Sequence, residues 1–121
     1  MIENFEDTTS ELTGDEMKLL PVIINGFKAH TSEKPIEAPE IVGLMNNYLA
    51  DKRINMKFNT VRLRKFANHI RSNSLLPLIA TSKGYYVSHD KAEIQSQIKS
   101  LRQRAQSIIN CADGMAVFIK S

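Results

Sequence analysis

Residues 59–88 read NTVRLRKFANHIRSNSLLPLIATSKGYYVS. Asn59 is a favoured helix-capping residue. Leu63, Phe66, Ala67 and Ile70 then fall within about 100° of arc on a 3.6-residue wheel, which predicts a helix over 59–73 with that face on a core. The same short helix carries Arg62, Arg64, Lys65 and Arg71 and no acid. Ser72-Asn73-Ser74 reads as a turn. Leu76 to Thr81 and Tyr85 to Ser88 are β-rich and are joined through Ser82-Lys83-Gly84, which predicts a tight hairpin. Tyr85 and Tyr86 alternate faces, so one is expected to pack and the other to be exposed.

The charge around this stretch is strongly polarised. The chain has 121 residues and a formal net charge of +3. Residues 1–51 contain three Lys/Arg and ten Asp/Glu, whereas residues 52–89 contain eight Lys/Arg and no carboxylate. Residues 90–121 hold five basic and three acidic side chains. Ordinary surfaces intersperse both signs, so an acid-free block over the best-defined helix and hairpin is the electrostatic footprint of a polyanion partner. An acidic N-terminus ahead of such a block can fold back on it and mimic DNA.

Working upstream, Asp51 to Phe58 is a basic connection, longer than the tightest helix-turn-helix turn. Before it, Ala38-Pro39-Glu40 starts a helix, with proline in the first turn and an acid at the positive end of the dipole. Ile41, Leu44, Met45, Tyr48 and Leu49 form its apolar stripe. Pro35-Ile36-Glu37 reads as a short edge strand. Met17, Leu20, Ile24 and Phe27 predict a further helix to about His30, opened by a Thr13-Glu16 capping box. Pro21 either kinks that helix or lies near its start. Residues 1–12 are acidic and polar and read as a flexible lead-in.

Downstream, Asp90 and Glu93 open a helix predicted to run to about Asn110. Ile94, Ile98, Leu101, Ala105, Ile108 and Ala112 recur at steps of four and three, a heptad seam that either packs on its own domain or zips to a second subunit. Asp113-Gly114 is expected to end this helix and to leave Met115 to Ile119 as an apolar tail. The expected organisation is a lead-in over 1–12, a domain over 13–89, and a helix and tail over 90–121.

Catalytic and cofactor chemistry is not called for. His30, His69 and His89 are isolated, and Cys111 is the single cysteine, with no partner for a disulfide or a metal site. The five glycines never cluster into a phosphate-cradling loop. The expected protein is therefore a non-enzyme without metal or cofactor. The acidic N-terminus lacks a basic leader, and the apolar runs Leu19–Ile24 and Leu75–Ala80 are too short to span a bilayer. With one cysteine, the composition suits a soluble protein of a reducing cytoplasm.

The order of elements predicts an α+β fold: a winged helix-turn-helix with a three-helix core, a short β-hairpin wing and an additional C-terminal helix. The helix 59–73 would then enter a DNA major groove. Its outer face presents Val61, Lys65, Asn68 and Ser72, flanked by Arg64 and Arg71 on one side and Arg62 and His69 on the other. Lysine donates to guanine, asparagine bonds adenine bidentately, valine touches a thymine methyl, and flanking arginines reach phosphate. Thr60 at the helix start and Lys83 at the hairpin tip complete the expected DNA-binding set.

From Ile36 onward the chain resembles small winged-helix proteins of bacteriophages and prophages. The matching features are Val61 to Phe66 with Ile70-Arg71, then Leu76-Pro77-Leu78-Ile79, Ser82-Lys83-Gly84-Tyr85-Tyr86-Val87, and the helix Ala92 to Arg104. The resemblance implies a DNA-binding regulator of transcription or replication in a bacterial host cell. It also leaves a competing expectation: a winged-helix adaptor that uses 90–121 to bind a replication or transcription protein. The long connection before helix 59–73 and the acidic first third depart from the shared pattern.

Overall fold

The structure is a computed structural model and describes residues 11–120. They form an α+β protein of five helices and one antiparallel hairpin: α1 Gly14–Met17, α2 Leu20–Lys28, α3 Ala38–Asp51, α4 Thr60–Ser72, β1 Leu78–Thr81, β2 Gly84–Val87 and α5 Lys91–Lys120. Residues up to 88 make one compact unit and residues from 89 a second. Most of the lead-in expected over 1–12 lies outside the described residues.

In the first unit, Thr13 caps the single turn of α1. Its hydroxyl accepts from the Glu16 amide while the Glu16 carboxylate accepts from the Thr13 amide. The chain leaves helical pairing at Lys18 and starts again at Leu20. Pro21 therefore sits in the first turn of α2, where its missing N–H has no intrahelical partner to lose. Proline thus separates two helices rather than kinking one. Leu20, Ile23 and Phe27 turn inward from α2, and Ile41, Met45 and Leu49 from α3. Leu44, expected on the α3 stripe, is 55% exposed and lines a shallow apolar cleft with Val22, Phe27 and Ile36.

The central helix of the core is α4. Leu63, Phe66, Ala67 and Ile70 are all buried, as their spacing predicts, and Phe66 stacks on Phe58 with ring centroids 5.8 Å apart. Asn59 caps α4 through its side-chain oxygen, which accepts from the Arg62 amide at 2.8 Å. The long connection from α3 is held by Asn46. Its amide group accepts from the Phe58 N–H at 2.8 Å and donates to the Phe58 carbonyl at 3.1 Å, copying the pairing of a neighbouring strand. That latch seats Phe58 in the core and sets where α4 begins.

The hairpin pairs Leu78 with Val87, Ile79 with Tyr86, Ala80 with Tyr85 and Thr81 with Gly84. Ile36 adds one bridge on the outer side of β2, exchanging both backbone hydrogen bonds with Tyr85 at 2.9 and 2.8 Å. The edge strand expected at 35–37 is thus a single paired residue. Tyr85 is half-buried and packs against Phe27 with ring centroids 5.6 Å apart, and Tyr86 on the opposite face is buried. Neither tyrosine is the exposed one that strand alternation led us to expect.

In the second unit, Asp90 caps α5 by accepting from the Glu93 amide at 3.0 Å. The helix then runs unbroken to Lys120, past the stop expected at Asp113-Gly114. A mid-helix glycine costs roughly 1 kcal/mol relative to alanine, and Ala112, Met115 and Ala116 around it favour helix. Gly114 keeps a negative φ and does not enter the left-handed conformation that ends helices. No expected tail separates from the helix.

Gly84 is the described glycine with positive φ, at +127°, and a Cβ there would lie 2.5 Å from the Ile36 carbonyl oxygen. Both the backbone angle and the close approach of Ile36 demand glycine. Gly84→Ala should destabilise the first unit by about 2–3 kcal/mol, read as a lower urea midpoint. An unchanged midpoint would show that the Ile36 bridge contributes nothing.

Candidate nucleic-acid interface

The outer face of α4 is built from the residues left over once its core face is satisfied. Thr60, Arg64, Asn68 and Ser72 are exposed, and Val61, Arg62, Lys65, His69 and Arg71 are half-buried. This face is divided lengthwise by the segment that precedes α2. Glu11, Leu12 and Met17 line one wall of a cleft whose other wall is Lys65, Asn68, His69, Ser72 and Asn73.

Glu16 occupies the root of this division. Its residue is 1% exposed, the most buried charge among the described residues. Lys65 Nζ lies 2.7 Å from Oε1, and Arg62 Nε donates to Oε2 at 2.7 Å. Arg62 also donates from Nη1 to the Lys57 carbonyl. Burial pushes the carboxyl upward in pKa. Hydrogen bonds from Lys65, the Thr13 amide and Arg62 outweigh that push and hold it at about 2, against the usual 4.5. A carboxylate taken out of water this completely must be paired and hydrogen-bonded, and Lys65, Arg62 and the Thr13 amide do both.

Lys65 and Arg62 were read from the sequence as groove- and phosphate-facing side chains. The structure gives them a carboxylate as partner, and only 12% of the Lys65 side chain remains exposed. Arg71 turns toward the hairpin and donates from Nε to the Leu78 carbonyl at 3.1 Å, tying the end of α4 to β1. Asn73 donates to the His69 carbonyl at 2.9 Å and lies 3.4 Å from His69 Nδ1, so His69 borders a helix-end cap. Arg64 stays on the exposed side of α4, near Thr60, and Asn68, one turn on, is exposed within the cleft that the N-terminal segment borders.

Beyond the helix, Lys83 is exposed in the two-residue turn between β1 and β2, where Thr81 Oγ1 accepts from its amide. Lys52, Arg53 and Lys57 are exposed in the connection leading to α4. Asn46 and Glu16 are the two site-shaping residues that sequence reasoning missed in these roles. The capping box flagged Glu16, but its two cations lie 46 and 49 residues further along and no local spacing connects them. No group of three or more His, Cys, Asp or Glu among the described residues could hold a metal ion. No described helix is long and apolar enough to cross a membrane.

Comparison with protein-family models, with curated proteins and with solved structures finds no match to this chain or its fold.

The depressed pKa of Glu16 makes its contribution to stability pH-dependent. The ion triad contributes fully above the unfolded-state pKa near 4.5 and is lost as pH falls through the folded value of about 2. Glu16→Gln should lower unfolding free energy at pH 7 by about 3 kcal/mol. The gap from wild type should close as pH falls toward 2 in urea titrations. A gap that is the same at pH 7 and pH 2.5 would refute the ionic account of this contact.

Proposed function

We propose that this chain is a non-enzymatic duplex-DNA-binding protein of winged-helix type. It would serve as a phage or bacterial regulator of transcription or replication. The succession α2, the Ile36 bridge, α3, α4 and then the β1–β2 hairpin is the element order of that fold, with α4 in the place of the recognition helix. The observation that carries the reading is the acid-free block 52–89. After Glu16 has neutralised part of it, Lys52, Arg53, Lys57, Arg64 and Lys83 still face solvent.

Within this reading the roles on α4 shift from those expected. Arg64 contacts phosphate or a guanine edge, and Asn68 reads an adenine. Lys83 touches phosphate from the wing, and Lys52, Arg53 and Lys57 line the backbone path at the start of α4. Arg62 and Lys65 orient α4 through Glu16 instead of meeting bases directly. Protein-only use of the same scaffold, as an adaptor, would leave the basic block without a polyanion.

Fluorescence anisotropy on mixed-sequence duplexes at two salt concentrations tests this. Wild type should bind with strong salt dependence. Arg64→Ala and Lys83→Ala should each weaken binding and flatten the log–log salt slope by roughly 1 per lost phosphate contact. Asn68→Ala should relax sequence preference and leave the slope unchanged. If wild type fails to bind a broad duplex pool at low salt, the DNA-binding reading is wrong.

A further inference from the structure

The second unit carries an apolar face with a definite pattern. No residue of the 30-residue α5 is buried. Met115 is 67%, Phe118 76% and Ile119 87% exposed. Helices in water draw most of their stability from packing such a face. Because α5 continues past Gly114, its steps of four and three also continue, from Ala112 to Met115 and on to Ile119. The seam from Ile94 to Ile119 thus exceeds three heptads, the length that indicates a coiled coil, and is about 38 Å long at 1.5 Å per residue. Asp113 and Gly114 fall on the side of the helix farthest from the seam, so neither interrupts it.

We propose that α5 pairs with α5 of a second copy of this chain as an antiparallel coiled coil centred between Ala105 and Ile108. The seam carries no charge or polar group at any a or d position, so it matches itself. In the antiparallel register, Leu101 faces the partner's Ala112 and Ala105 faces the partner's Ile108. Each central layer then combines a large and a small side chain, which fills space evenly. A parallel, in-register pair would set Ala105 on Ala105 and Ala112 on Ala112, leaving two thin layers.

The flanking positions point to the same occupant. Beside the first half of the seam stand long polar side chains, Gln97, Arg102 and Arg104, which are half-buried or exposed. Beside the second half stand Ile109, Cys111 and Phe118, all exposed. Antiparallel pairing lays the polar stems of one copy over the apolar flanks of the other, with their heads in water. It also keeps the arginines of the two copies apart. This pairing is independent of whether the first unit binds DNA.

The test uses the full chain. Sedimentation equilibrium should give twice the 13.7 kDa chain mass. Leu101→Glu with Ile108→Glu should return the monomer while the unfolding transition of the first unit is retained. Orientation is read with Arg104→Cys, a substitution at an exposed position. In the antiparallel pair, residue 104 lies beside the partner's Cys111. Within one chain the two are about 10 Å apart along the helix, too far for a disulfide. Mild oxidation should convert the variant to a covalent dimer, reversed by reductant, at least several-fold more completely than wild type. Four outcomes would each overturn the proposal: a monomer at high micromolar concentration, a trimer or larger species, a dimer in which the variant does not cross-link, or α5-dependent binding to anionic phospholipid vesicles without dimerisation.

Discussion

A single buried carboxylate organises the α4 side of the first unit. Glu16 is almost wholly removed from water and is held ionised by Lys65, Arg62 and the Thr13 amide. The contact joins the first ordered turn of the chain to its central helix, and it fixes which part of α4 is left for a partner. Without it, α4 would present a continuous basic band. With it, Arg62 and Lys65 are neutralised beside the N-terminal segment, and Arg64 stays exposed. The ion triad thus links stability to surface charge, because the same cations serve an internal anion and would otherwise be available to an external one.

The rest of the first unit depends on equally local polar devices acting across long sequence distances. Asn46 replaces a strand for Phe58, which lets a connection of ordinary, irregular backbone enter the core without orphaned amide groups. Ile36 fulfils the same role for Tyr85, and Gly84 is the residue that permits so close an approach. Arg71 closes the series by satisfying the Leu78 carbonyl from the last turn of α4. Apolar burial drives the collapse, and these contacts decide where each element starts and how it is aimed.

The second unit follows a different logic. Residue preference and heptad spacing make α5 a helix, but none of its residues is fully buried. A glycine at its outer face does not end it, because Gly114 keeps a negative φ and the helix continues through it to Lys120. The seam therefore runs farther than a boundary drawn at Gly114 allows, and its length is what makes self-pairing the fitting use of the face.

Sequence alone determined the elements whose signals are local. Asn59 and Leu63, Phe66, Ala67 and Ile70 marked α4 and its buried face, Thr13 and Glu16 marked the capping box, and Ser82-Lys83-Gly84 marked the hairpin turn. These depend on backbone propensity and periodicity, which act within a few residues. The open choice at Pro21, the exposure of Leu44, the packing of both Tyr85 and Tyr86 and the persistence of α5 past Asp113 were decided by packing or by the absence of a competing termination. The candidate site was legible as a basic block but not as a surface. Charge content is additive along the chain, whereas the availability of Arg62 and Lys65 depends on a carboxylate 46 and 49 residues away. Only the tertiary structure brings that partner into place, because burial in a low-dielectric setting, not sequence proximity, selects which opposite charges must meet.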